Sequence, residues 1–308
     1  MHIAILDVDV PVPAVYSARG LYSSQFRVLL QAAAERLNIP ASSIYTTAWD
    51  VIGGSLPPFS SLRTTEKSET NGVHESQNPL AAPIDGILVT GAAAAAYEAA
   101  KYPWIVPLQS FIQKVFEEYP LVKIFGSCFG HQLLGQALLS AASLTQSQTS
   151  NPPTVVVEAC PNGSEVGLTP INLTPEFVSH FPKLDSSLPN KGSMRLQMIH
   201  GDWVSLLPGV EKLPAPWVNV GSSDLCPVQG LYCPGRVLTY QGHFEFDVFV
   251  NSETCREFGR RNGWNGWKQE DIARYLELIA KARVEGVLED DDDARTAAEI
   301  VVMFFLEQ

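Results

Sequence analysis

Leu121-Val122-Lys123-Ile124-Phe125-Gly126-Ser127-Cys128-Phe129-Gly130-His131-Gln132 is the stretch that decides how this chain is read. Leu121–Phe125 is a short apolar run of buried-strand character, and it passes without a linker into Gly-x-Cys-x-Gly and then into an apolar helical pattern over His131–Ala142. Strand, tight turn and helix in this order form the context of a nucleophile elbow, in which the turn lifts a reactive side chain above a sheet edge. Gly126 and Gly130 suit such a turn because side chains there would crowd it. Amides at the start of a helix stabilise a thiolate, which places Cys128 to react near neutral pH. The Phe129 amide points at the same space and can donate to an oxyanion.

Outward from the elbow the pattern repeats. Ile84–Gly91 is a β-branched strand ending at glycine, followed by an Ala-rich stretch (Ala92–Ala100) and by helical spacing through Ile105, Leu108, Ile112 and Val115–Phe116. Ile3–Val8 reads as a first core strand, with a helix over Phe26–Leu37 after it. Strands alternating with helices predict parallel crossover units, hence an α/β fold: a doubly wound, mostly parallel sheet flanked by helices. Residues 55–83 are rich in Ser, Thr, Pro, Asn and Glu and read as a surface insertion. In the second half, strand-like pieces around Val155–Val157, Leu196–Ile199, Trp217–Val220 and Val237–Tyr240 are separated by turn residues and predict a mixed, partly antiparallel extension of the sheet. Beyond Phe249 the pattern is helical again. Ile272, Leu276, Ile279 and Ala280 share one face, and Asp290–Asp293 precede a last apolar helix to Leu306, where an acidic run suits the helix N-terminus. We therefore expect one domain over residues 1–255 and a helical extension, 256–308, packed on it.

The 308 residues are 45% hydrophobic and 18% charged, with a mean hydropathy of +0.03, which is ample for a large core and excludes a mainly disordered chain. Thirty-three acids oppose 21 bases, for a net charge of -12. That balance argues against nucleic acid or an anionic membrane as partner, since both reward clustered Lys and Arg, and favours a small molecule or peptide. Five widely spaced cysteines, an odd number without any CxxC pair, do not form a disulfide framework or a zinc ribbon. The first residues lack a signal-peptide pattern and no apolar run reaches membrane length, so a cytoplasmic protein is expected.

A thiol nucleophile needs a base, and the base needs an orienting partner. Of six histidines, His74 lies in the polar tract, His180 in a loop-like stretch and His2 at the wrong end of the first strand. His131 sits in the elbow helix, where packing or support of the turn accounts for it. His243 follows the strand Val237–Tyr240 within Gln241-Gly242-His243-Phe244-Glu245. A strand end delivers it to the same sheet edge as the elbow, and Glu245, two residues on, can turn toward it while Phe244 points elsewhere.

Gly126-Ser127-Cys128-Phe129-Gly130-His131-Gln132, followed by Gln241-Gly242-His243-Phe244-Glu245, resembles the class I glutamine amidotransferase family, and most of all its stand-alone, γ-glutamyl peptidase-like members. The resemblance runs over about Ile3 to Val250 and implies a Cys128–His243–Glu245 triad acting through a γ-glutamyl thioester. It further implies an oxyanion hole from the Gly91 or Ala92 amide with that of Phe129, substrate contacts from Gln132 and from the segment of His200, and no metal or other cofactor. Three features depart from the family: Phe244 stands where proline is usual, the oxyanion loop reads Gly91-Ala92-Ala93-Ala94, and nothing resembles a fused synthetase.

The first functional expectation is a hydrolase of glutamine or other γ-glutamyl amides. A second is a glutaminase subunit delivering ammonia to a separate synthase, with Gln269 to Leu306 as a docking surface. A third is a non-catalytic binding module of the same fold.

Overall fold

The structure, a computed structural model, describes residues 1–66, 81–140, 152–182, 188, 190–260, 266–287 and 289–306. In chain order the strands are β1 (His2–Asp7), β2 (Tyr45–Asp50), β3 (Gly86–Val89), β4 (Lys123–Ser127), β5 (Val155–Ala159), β6 (Glu165–Leu173), β7 (Ser193–His200), β8 (Asp202–Leu206), β9 (Val218–Asn219), β10 (Gly221–Ser222), β11 (Leu231–Cys233) and β12 (Val237–Tyr240). The helices are α1 (Pro13–Arg19), α2 (Tyr22–Arg36), α3 (Ile105–Glu118), α4 (Phe129–Leu139), α5 (Pro175–His180), α6 (Val248–Arg260), α7 (Gln269–Ala280) and α8 (Ala294–Leu306).

The main sheet has seven strands in the order β2-β1-β3-β4-β12-β11-β9. The first five are parallel, and β11 and β9 continue it antiparallel. Side chains alternate across a strand, so each strand feeds two cores. Ile3 and Ile5 of β1, Leu88 of β3, Phe125 of β4 and Leu238 of β12 join one core with α2, α6 and α8. Ala4, Leu6, Ile87, Val89, Ile124 and Val237 face the other, with α3 and α4. This is the doubly wound α/β architecture anticipated. The chain passes from β1 to β2 on one side and to β3 on the other, and in such sheets sites form beyond the carboxyl ends of the strands at that reversal.

The second half differs in detail. Among the described residues, β11 and β9 alone extend the main sheet in antiparallel fashion; β10-β6-β7 and β5-β8 form small sheets of their own. The long strand β6 was not anticipated because it contains Gly167 and Pro170, both poor strand formers. Gly167 has φ +95°, and a Cβ there would stand 2.6 Å from Cβ of Leu278, so the bare residue is what lets α7 lie against β6. The Ala-rich stretch is not helical despite alanine's propensity, and α3 starts only at Ile105.

Residues 67–80 of the polar tract, with His74, lie outside the described residues, as do Ala141 and Ala142. The described beginning of the tract folds back onto the domain. Phe59 packs on the rings of Phe111 (5.3 Å) and Tyr119 (5.8 Å), Leu62 bridges to Ile84, and the Arg63 guanidinium pairs with Asp85.

Candidate active site

The elbow forms where β4 turns directly into α4. Cys128 has φ +49° and ψ -101°, a conformation a non-glycine residue adopts only when its surroundings impose it. Here the Cys128 amide donates to the Tyr240 carbonyl (2.8 Å), which ties the turn to the end of β12. The flanking glycines allow the turn to close. A Cβ at Gly126 would lie 2.6 Å from the Gly130 backbone, and one at Gly130 would lie 2.5 Å from the Val89 carbonyl oxygen.

Past β12 the chain bends, and the His243 amide donates to the Gln197 carbonyl of β7 (2.9 Å). His243 Nδ1 donates to Glu245 Oε1 at 2.8 Å, and Ser127 Oγ donates to the same oxygen at 2.9 Å. Phe244 turns the opposite way, into the core against Phe26 and Phe125. The His243 ring lies flat on Phe246, with centroids 4.0 Å apart. Burial alone would lower the His243 pKa, but the charges of Glu245 and of Cys128 outweigh it and raise the group to about 10.

Gly91 closes the arrangement. A Cβ there would be 3.2 Å from His243 Cε1 and 3.6 Å from Cys128 Cβ, so the bare loop, the imidazole and the sulfur-bearing residue share one small space. The cleft between them measures about 40 Å³ and is lined by Asp9, Tyr22, Gly91, Ala92, Cys128 and His243, among others. Asp9 pins the loop: its Oδ2 accepts from the Ala93 amide and its Oδ1 from the Val10 amide, both at 2.8 Å. The Phe129 amide is the first of α4 and has no partner within the helix. A far larger groove, about 1080 Å³, runs between α1, α2 and residues 283–287 and 289–292, and Glu245 lines it too. The sulfur does not line it.

Two of the anticipated residues are placed differently. Gln132 does not line the cleft; its Nε2 donates to the Asp202 carbonyl (3.0 Å) and to Gln241 Oε1 (3.2 Å). His200 is buried with both ring nitrogens engaged, Nδ1 at the Asp202 carbonyl (2.9 Å) and Nε2 at Glu165 Oε2 (2.8 Å). Burial would raise the Glu165 pKa, but His200, Ser223 and Gln229 together hold it low. His200 is thus committed to the β6–β7 sheet and does not line the cleft.

His131 supports the turn, its Nδ1 within 2.8 Å of Thr239 Oγ1. Burial, aided by the charge of His200, lowers its pKa to about 3. The unfolded chain takes up a proton here near pH 6.5 and the folded chain does not, so this group withdraws stability as pH falls below about 6.5. His131→Asn is expected to flatten the fall of the thermal midpoint between pH 7 and pH 5, measured by scanning calorimetry against the unaltered protein.

Ser127, Gln241, Asp9, Tyr22, Phe246 and Gln197 complete the site and were not anticipated. Ser127 and Gln241 lie within the two motifs, and that placement is the one signal the sequence holds for them. All five cysteines are free, and burial raises the thiols of Cys233 and Cys255 to about 11 and 12. Among the described residues no group of three or more His, Cys, Asp or Glu side chains is arranged to hold a metal ion. No helix among them is long and apolar enough to cross a membrane.

A buried cysteine on a strained elbow, a His–Glu pair brought to it by the neighbouring parallel strand, and a glycine-led loop opposite define a cysteine-elbow site at the carboxyl edge of a doubly wound sheet. No family model matches the chain. It is 30% identical over 250 residues, 81% of each chain, to a Schizosaccharomyces pombe protein provisionally named glutamine amidotransferase-like. It is also 30% identical over 168 residues, 54% of each chain, to a Saccharomyces cerevisiae protein provisionally named a glutamine amidotransferase. Among solved structures it resembles a glutamine amidotransferase of Thermotoga maritima, with a TM-score of 0.58 at 14% identity, covering 100% of this chain and 99% of the other. It resembles one from Methylobacillus flagellatus with a TM-score of 0.52 at 14% identity, covering 99% and 93%. At such identities the structural likeness is one of fold. The chain belongs to the class I glutamine amidotransferase-like family.

Proposed function

We propose that the protein is a cysteine-dependent amidohydrolase of glutamine or other γ-glutamyl amides, working through a γ-glutamyl thioester. The observation that carries this reading is the hydrogen-bonded His243–Glu245 pair beside Cys128 on its elbow. The Cys128 sulfur is the nucleophile, and His243, kept protonated against burial by the charges of Glu245 and Cys128, is the proton donor. The sulfur attacks the γ-carbonyl carbon; a C–S bond forms and the carbonyl electron pair moves onto oxygen, facing the amides of Phe129 and of Gly91 or Ala92. As the tetrahedral species collapses the C–N bond breaks, and His243 passes its proton to the departing nitrogen. Water then attacks the thioester, giving a proton back to His243. The C–S bond breaks, glutamate leaves, and the free sulfur and protonated imidazole are restored. Glu245 and Ser127 hold the imidazole in the required orientation throughout.

This reading sets an alkaline limit. With the His243 pKa raised to about 10, the protonated ring persists through neutral pH and is lost as pH rises through about 10. The kcat/KM for glutamate release is expected to fall on that alkaline side. Removing the Glu245 charge in Glu245→Gln is expected to move the fall toward neutral pH, as a pH–rate profile of the two proteins will measure.

The function itself is tested by incubating the purified protein with glutamine, glutathione and simple γ-glutamyl amides and measuring glutamate, with Cys128→Ala alongside. Release that depends on Cys128 supports the proposal, and the preferred donor names the substrate. No release from any donor, with or without added synthase, overturns it.

A further inference from the structure

We infer that Gln241 is a catalytic residue of this site, whose side-chain amide donates to the Cys128 thiolate and does so because a chain of hydrogen bonds through Gln132 fixes which way that amide faces. The inference rests on the proposed nucleophile and adds a residue and a relay to it. Gln241 is fully buried, and its Nε2 lies 3.6 Å from Cys128 Sγ, within hydrogen-bond range for sulfur. A side-chain amide can present either its nitrogen or its oxygen to a neighbour, with opposite effects on a thiolate.

The orientation is set from outside the site. The Asp202 carbonyl oxygen can only accept, so the end of Gln132 that meets it at 3.0 Å must be Nε2. That same nitrogen meets Gln241 at 3.2 Å, so the facing Gln241 atom must be the acceptor, Oε1. Nε2 of Gln241 is then left for the sulfur. The Gln241 backbone is anchored as well, its amide donating to the Gln229 carbonyl (2.9 Å). His243 also acts on the sulfur, and Gln241 adds a second donor, its Nε2 3.6 Å from Sγ. Gln132 is accordingly a positioning residue here, acting on the sulfur through Gln241.

Donors to a buried anion count for more than donors to a neutral thiol, so the contact favours the thiolate. The test is the pH dependence of Cys128 alkylation by iodoacetamide, followed by mass spectrometry of the Cys128 peptide in the full-length protein. In Gln241→Met, which keeps the length and removes the donor, the alkylation rate at pH 7 is expected to fall about tenfold and the profile to shift to higher pH. Gln241→Glu puts a carboxylate beside the sulfur and is expected to shift it further. Gln132→Met, which frees the Gln241 amide to rotate, is expected to move the profile in the same direction by less. Unshifted profiles in Gln241→Met and Gln241→Glu variants that melt like the unaltered protein overturn the inference. A Cys128 that resists alkylation at every pH in the unaltered protein sinks instead the reading of Cys128 as nucleophile, and with it the premise.

Discussion

Replacing His243 by Gln is expected to lower kcat for glutamate release about a thousandfold or more, while the protein stays folded. Glutamine is the useful substitution because its amide can still donate to Glu245, whose carboxylate would otherwise be left buried with Ser127 alone. What glutamine cannot do is carry a proton to the leaving nitrogen and recover it from water. In the proposed mechanism Cys128 and His243 act on the same bond in the same step, so their losses should not add. The double variant Cys128→Ala/His243→Gln is expected to be no slower than Cys128→Ala by itself. A single His243→Gln variant retaining a tenth of the rate would show that another group moves the proton. Single-turnover kinetics on a γ-glutamyl amide separates the two steps, since in the proposed mechanism acylation and deacylation both pass through this imidazole.

The second large effect is structural. Gly130→Ala is expected to destabilise the protein by about 3 kcal/mol or more, because the new methyl would meet backbone that cannot rotate away. Its ideal Cβ position is 2.5 Å from the Val89 carbonyl oxygen and 3.1 Å from Val89 Cβ, so either β3 or the elbow must move. For a chain of this size that corresponds to a fall in thermal midpoint of roughly 5–10 °C, measured by calorimetry. Because Val89 leads into Gly91, the displaced strand would also carry the Gly91 loop, the proposed oxyanion site, with it, and the surviving folded protein should show a reduced kcat. A Gly130→Ala protein with unchanged melting would mean the elbow has slack that these distances deny.

Much of the architecture was legible because local patterns were strong. Phe125 running into Gly126-Ser127-Cys128, and Tyr240 running into Gln241-Gly242-His243, announce strands that end at the same edge, and the parallel pairing of β4 with β12 places them side by side. What was not legible needed the third dimension. Nothing near Asp9 in the chain says that it will reach the Ala93 amide, 84 positions away. His200 looked available on its motif alone. Only the fold of β6 against β7 reveals that Glu165 claims its second nitrogen. Likewise Gln132 sits one turn past the nucleophile, yet it faces Asp202 and Gln241 rather than the cleft. Strand β6 was hidden by Gly167 and Pro170, residues that local propensity penalises and that tertiary packing here requires.

The size of the cleft bears on how substrate is admitted. The cleft of about 40 Å³ is a tight space beside the sulfur, walled by Asp9, Tyr22, Gly91 and His243 among others. Where loading displaces these walls, the form that accepts substrate is a fraction of the resting population. The affinity measured for any donor is the intrinsic one weakened by that fraction. Substitutions that enlarge the mouth, at Tyr22 for instance, should then tighten apparent binding and quicken capture even while they leave the reacting groups untouched.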